Sequence, residues 1–239
     1  MGYLKRDLDS IDGKLSMGKE LNPRQKERLE TLRKIYEQQK YMYEHKTHSV
    51  PDRIVSVSQP FVRPIVRGKA ATPVEFGIKL DISVVDGWTR LERHSFDAYN
   101  EAGNLPMIAE RFREREGHYP KWILADKIYR NRENLQYCKE RGIRLAGPPL
   151  GRPKKVTDQE KKQAHMDECE RVEVERSFSL AKRKCGMGRI SAKLEETAAH
   201  AVAMSVLVLN LRRIQFVLWR LWVFLTLFYP CQKKLAFIQ

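Results

Sequence analysis

Asp126 closes the short apolar run Trp122, Ile123, Leu124, Ala125, the pattern of a buried strand that delivers one carboxylate at its C-terminal tip. Open α/β sheets carry their chemistry at that end. Farther along, Arg171, Glu175 and Lys182 stand at i, i+4 and i+11 and share one helical face, where an arginine and a glutamate alone read as an ordinary surface pair. Cations gather in two loops. Arg63, Arg67 and Lys69 lie in FVRPIVRGKA, and Arg152, Lys154 and Lys155 lie in the proline-rich connector Gly147 to Thr157. Such loops can follow a phosphate backbone or simply stand solvated. Lys79, within an apolar strand pattern, reads as a surface charge.

The elements that must position these groups are legible around them. After Asp126, Asn131 caps a helix running through Arg141, Gly142 stops it, and Ile143 to Ala146 forms a second short strand. Before it, Val74 to Val85 reads as a strand, Asp86-Gly87 as a hairpin turn, Trp88 to Ser95 as the returning strand, and Leu105 to Glu116 as a helix stopped by Gly117. Asp97, Asn100 and Glu101 are turn and cap formers. Nearer the start, Asn22, Pro23 and Gln25 open a helix through a capping box, with Leu29, Leu32, Ile35, Tyr36 and Tyr43 at helical spacing. His48 to Pro51 breaks it, and Arg53 to Ser58 alternates as a strand does. A long helical stretch runs from about Asp158 to His200, broken near Gly186 to Gly188.

A chain of 239 residues can bury one core, or one domain with a helical appendage. Its formal charge of +15 favours a polyanionic partner, because each cation that neutralises a phosphate releases condensed counterions. Cys138, Cys169, Cys185 and Cys231 have neither zinc-ligand nor disulfide-framework spacing, and with the polar opening MGYLKRDLDSIDGK they point to free thiols in a cytoplasmic protein. Ala198 to Leu211 is apolar enough for a buried helix. Beyond Arg213 the tail is more apolar still, but Gln215 and Arg220 interrupt it and Pro230 ends it, short of the ~18 uncharged residues of a spanning helix. It reads as a packing or oligomerising helix, with membrane association as the alternative.

The words RPIVRGKA, VEFGIKL, ADKIY and YCKERGIRLAGPPLGRP resemble the bacterial DDE transposases of the insertion-sequence five superfamily, over roughly residues 45 to 215. The resemblance implies an α/β, ribonuclease H-like mixed sheet flanked by helices, in which three antiparallel strands precede two parallel ones and the first strand is missing here. It divides the chain into an N-terminal helical segment (1–50), an incomplete catalytic domain (51–213) and an apolar tail (214–239). It makes Asp126 the second and Glu175 the third of three acids holding Mg2+ or Mn2+ for in-line displacement at phosphorus. The spacing in RVEVERSFSLAK fits that family's third-acid motif, with Phe178 and Lys182 to Lys184 in agreement, although Glu168 stands where relatives carry a tyrosine. Arg63, Arg67, Lys69, Lys79, Arg152, Lys154, Lys155, Arg171 and Lys182 become contacts to double-stranded DNA, the transposon ends and target.

The first acid has no match. Asp7, Asp9 and Asp12 follow no apolar strand, Asp52 follows a proline at a strand's beginning, and Asp81 lies within the hairpin strand, the least poor substitute. The expectation is therefore a transposase truncated at its start and inactive alone. The alternative is a DNA-binding fragment that regulates or inhibits transposition. A homo-oligomer is compatible with either; a small-molecule substrate and stable membrane insertion are not expected.

Overall fold

A computed structural model describes residues 2–66, 74–147 and 157–228. The chain forms two compact units, one from residues 1–81, 93–100 and 191–198, the other from 82–92, 101–190 and 199–239.

In the first unit, α1 (Gly2–Ser16) packs on α2 (Pro23–Glu44), with Asp12 accepting from Arg33. The capping box forms as expected. Asn22 Oδ1 accepts from the Gln25 N–H at 2.8 Å and Gln25 Oε1 accepts from the Asn22 N–H at 3.0 Å, so two orphan donors at the helix start are met, and Pro23 at the first position has none to satisfy. Leu29 is buried, but Tyr43, expected beside it, is exposed and Met42 is buried instead. The end of α2 turns a different face inward: Gln38, one turn before Met42, accepts from the Ile54 N–H at 2.9 Å and donates to the Asp52 carbonyl at 3.1 Å. That side chain takes the role of a neighbouring strand. Arg53 to Ser58 accordingly forms no strand, which corrects the reading from alternation.

β1 (Arg63–Val66) pairs antiparallel with β2 (Val74–Gly77), Ile65 opposite Glu75. The run Val74 to Val85 is two strands rather than one. Gly77 has φ +138°, open only to glycine without strain, and β3 (Lys79–Val85) starts afresh beyond Ile78. The hairpin is as expected: Asp86 and Gly87 both take positive φ, 49° and 74°, the pair of angles that joins twisted strands in two residues, and β4 (Trp88–Ser95) returns.

The second unit contains the expected strand, helix, strand. α3 (Leu105–Glu116) ends on Gly117 at φ 79°, then come β5 (Trp122–Ile123), α4 (Arg132–Glu140) capped by Asn131, and β6 (Arg144–Leu145). β5 and β6 pair parallel, Trp122 opposite Arg144 and Ile123 opposite Leu145. Leu105, Ala109, Cys138, Ile143 and Leu145 form the core beneath, with Ile123, Ala125 and Tyr129 packed against it. The strands are shorter than the apolar run suggests, because Leu124 and Ala125 leave the ladder to reach the turn that follows. Among the described residues the strands pair two by two, β1 with β2, β3 with β4 and β5 with β6, instead of joining one mixed sheet.

α5 (Asp158–Lys184) opens on a second capping box, Thr157 with Glu160. It ends at the expected break. Gly188 passes so close to the Lys182 carbonyl that a Cβ would lie 2.7 Å from the oxygen. α6 (Glu195–Phe228) then runs unbroken for 34 residues, merging the expected buried helix with the apolar tail. Gln215 and Arg220 interrupt the apolar run, as expected, without breaking the helix, since both are acceptable helix formers. Joined in this way, the helix has the length and apolar composition to cross a membrane, a test that core helices also pass.

Candidate functional site

Asp126 lies in extended backbone (φ −66°, ψ 160°) and caps the 3-10 turn Lys127–Tyr129, its Oδ1 accepting from the Lys127 N–H at 2.6 Å. Its carboxylate is exposed. The turn is fastened from behind. Asn134, 2% exposed, donates from Nδ2 to the carbonyls of Tyr129 and Ala102, both at 2.7 Å, and Arg130 donates to the Leu145 carbonyl. Asn131 Oδ1 accepts from the Asn134 N–H at 2.7 Å, so cap and clamp are consecutive members of one chain of bonds. Asn131 is legible as a cap. Asn134 is not, because nothing in the sequence separates an inward amide from a solvated one.

On α5, Arg171 stands between two carboxylates. It donates to Glu168 at 2.7 and 3.1 Å and to Glu175 at 2.9 Å, and these bonds keep its guanidinium charged. The arginine pulls the Glu168 carboxyl below the ordinary range by hydrogen bonding; partial burial opposes this, and the charges of Arg171 and Lys127 add to it. Arg144 on β6 forks onto Asp167 of α5 at 2.6 and 2.8 Å. That bond depresses the Asp167 pKa, against a burial effect of opposite sign, with help from Gln163.

The helix carrying Glu175 is thus tied to β6, the strand that pairs with the one leading to Asp126. Glu175 lies seven residues beyond Glu168, ~10 Å farther along the axis, with its exposed carboxylate held by Arg171. Lys182 is exposed two turns later. Each acid is engaged by its own neighbours, and among the described residues no three of His, Cys, Asp or Glu gather as a metal-holding group.

The remaining expected residues divide. Arg63 turns inward and donates to the Pro60 carbonyl at 2.5 Å. Lys79 donates to the Tyr99 carbonyl with its ammonium 4.7 Å from the centre of the same ring. Arg67, Lys69, Arg152, Lys154 and Lys155 lie outside the described residues. Of the aspartates weighed as a first acid, Asp7 and Asp9 are exposed on α1, Asp12 is paired with Arg33, Asp52 sits exposed in a turn at φ 51°, and Asp81 is buried in β3.

Two further networks escaped the sequence. Buried Glu92 accepts from the Ser83 hydroxyl at 2.6 Å and from Arg115 at 3.1 Å. On α6, the Asn210 amide pairs with Thr89 as a strand would, Oδ1 accepting at 3.0 Å and Nδ2 donating to the carbonyl at 2.8 Å, while Arg213 donates to the Asp86 carbonyl.

Residues 123–212 match the family model described as a transposase DDE domain, consistent with an insertion-sequence DDE transposase; the matched span, fewer than half of the residues, includes both Asp126 and Glu175. No curated protein and no solved structure matches the chain.

Proposed function

We propose, from the transposase DDE domain matched at residues 123–212, that this chain engages the DNA of an insertion sequence and belongs to its transposition machinery. The match carries the reading, and its span includes both Asp126 and Glu175. The +15 charge supports a phosphate backbone as the partner. The cleavage and strand transfer implied by the resemblance are displacements at phosphorus, on transposon ends and then on target DNA.

Relatives usually work with divalent metals, Mg2+ or Mn2+. Asp126 and Glu175 have the hard oxygens such an ion prefers. They do not complete a site, because the described residues bring no three acids together and both carboxylates are already held. The same observation favours a second reading: the isolated chain, in the cytoplasm, binds DNA without cutting it and modulates transposition.

The test uses the purified full chain and duplexes taken from the DNA on either side of its own gene. Gel shifts should show binding that weakens steeply with salt, and incubation with Mg2+ or Mn2+ should leave the duplex intact. Nicking that Asp126→Ala or Glu175→Ala abolishes would establish an active transposase and sink the binding-only reading. The absence of both a shift and nicking at low salt would overturn the transposition reading itself.

A further inference from the structure

α5 carries three soft donor atoms on one stretch of exposed surface: the His165 imidazole, the Met166 thioether and the Cys169 thiol. Cys169 is a free thiol, and Met166 is 51% exposed. His165 and Cys169 stand at i and i+4, and Met166 is three residues before Cys169, so the three side chains border one patch. Asp167, two residues on from His165, faces the other way round the helix and takes Arg144 of β6. The tie of α5 to β6 therefore leaves the patch open.

The geometry is that of a metal clip. His165 Nε2 and Cys169 Sγ lie 3.8 Å apart. One ion at ~2.3 Å from a thiolate and ~2.0 Å from an imidazole spans that distance with an angle of about 120°, which is the angle of three-coordination and leaves a third position. The Met166 side chain, unbranched and with three rotatable bonds, can supply the third ligand without any movement of the helix.

We infer that His165, Met166 and Cys169 bind a cuprous ion, Cu+. Thiolate, thioether and imidazole together select a soft cation over the hard Mg2+ or Mn2+ that carboxylates prefer. Zinc is the rival for sulfur and nitrogen, but it closes a tetrahedron and takes its ligands from Cys, His, Asp and Glu rather than Met. On binding, the Cys169 thiol gives its proton to solvent and its sulfur shares an electron pair with copper, whose oxidation state does not change. The site uses neither Asp126 nor Glu175, so its test does not depend on DNA cleavage.

Copper competition on the purified, reduced full chain provides that test. Cu+ is offered under nitrogen as the coloured bicinchoninate complex, and the loss of colour measures the copper withdrawn. The wild type should withdraw one equivalent. Cys169→Ser should weaken binding on the order of 100-fold, and His165→Ala and Met166→Leu about 10-fold each, the range seen when metal sites lose supporting groups. Cys231→Ser, which removes the thiol of the tail, should bind as the wild type does. The three donors are exposed, and unchanged far-ultraviolet circular dichroism verifies that the variants are folded. A wild type that withdraws no copper overturns the proposal, as does a Cys231→Ser variant that loses it. Binding indifferent to both His165→Ala and Met166→Leu reduces the site to a single thiol and overturns it too, and a chain that keeps Zn2+ against excess Cu+ overturns the choice of metal.

Discussion

Around Cys138 and along the far half of α6 the chain arranges apolar side chains at helical spacing with opposite outcomes. In the first region α3, α4 and two short strands close over Leu105, Ala109, Cys138, Ile143 and Leu145, and burial lifts the Cys138 thiol above its ordinary pKa. In the second, Ile214, Leu218, Leu221 and Leu225 face outward. Closure in the first depends on polar groups as much as apolar ones. The short turns that join its elements leave carbonyls without ladder partners, and the buried Asn134 amide meets those of Tyr129 and Ala102. The second region makes no such demand, because a helix satisfies its own backbone and can display an apolar face until another body covers it. Burial of apolar surface is thus a property of neighbours and not of the segment that supplies it.

Breaking the closed region should have the largest effect. Asn134→Leu strands the carbonyls of Tyr129 and Ala102 and should cost about 2–4 kcal/mol of unfolding free energy in a urea titration; a loss under about 1 kcal/mol would mean that the Asp126 turn is not held from within. Arg144→Met cuts the tie to α5 and should cost about 0.5–1 kcal/mol, since the arginine is nearly half exposed and screened. The pH dependence has a definite sign. Asp167 has a depressed pKa in the folded chain, so its contribution is present above the ordinary carboxylate pKa and lost as pH falls through the lowered one. Wild type should therefore lose more stability on acidification than Arg144→Met, and equal slopes would refute the tie. The smallest effect belongs to the open region: Leu221→Gln should change the stability of the dilute chain by no more than about 0.5 kcal/mol, and a larger loss would show that this part of α6 packs on its own chain.

Much of the local architecture was legible. The capping box at Asn22 and Gln25, the glycines after α3 and α4, the Asp86-Gly87 turn and the break after α5 all rest on bonds or dihedral angles set within four or five residues. Errors fell where a remote group took over. Arg53 to Ser58 has the alternation of a strand, yet Gln38 supplies its partner, and Tyr43 fits the apolar stripe of α2 that Met42 displaces. The division of residues 74–85 at Gly77 was locally readable, since glycine inside a strand signals a bend.

For the candidate site the division is similar. Residue order alone determines that Asp126 follows an apolar run and that Arg171, Glu175 and Lys182 share a helical face, because both follow from the fixed periods of strand and helix. Only the tertiary structure decides that the Asn134 amide ties the Asp126 turn to Ala102 and that Arg144 brings β6 onto α5 through Asp167. The Arg144–Asp167 contact spans 23 residues, and its formation depends on the packing of whole elements, which no local pattern encodes.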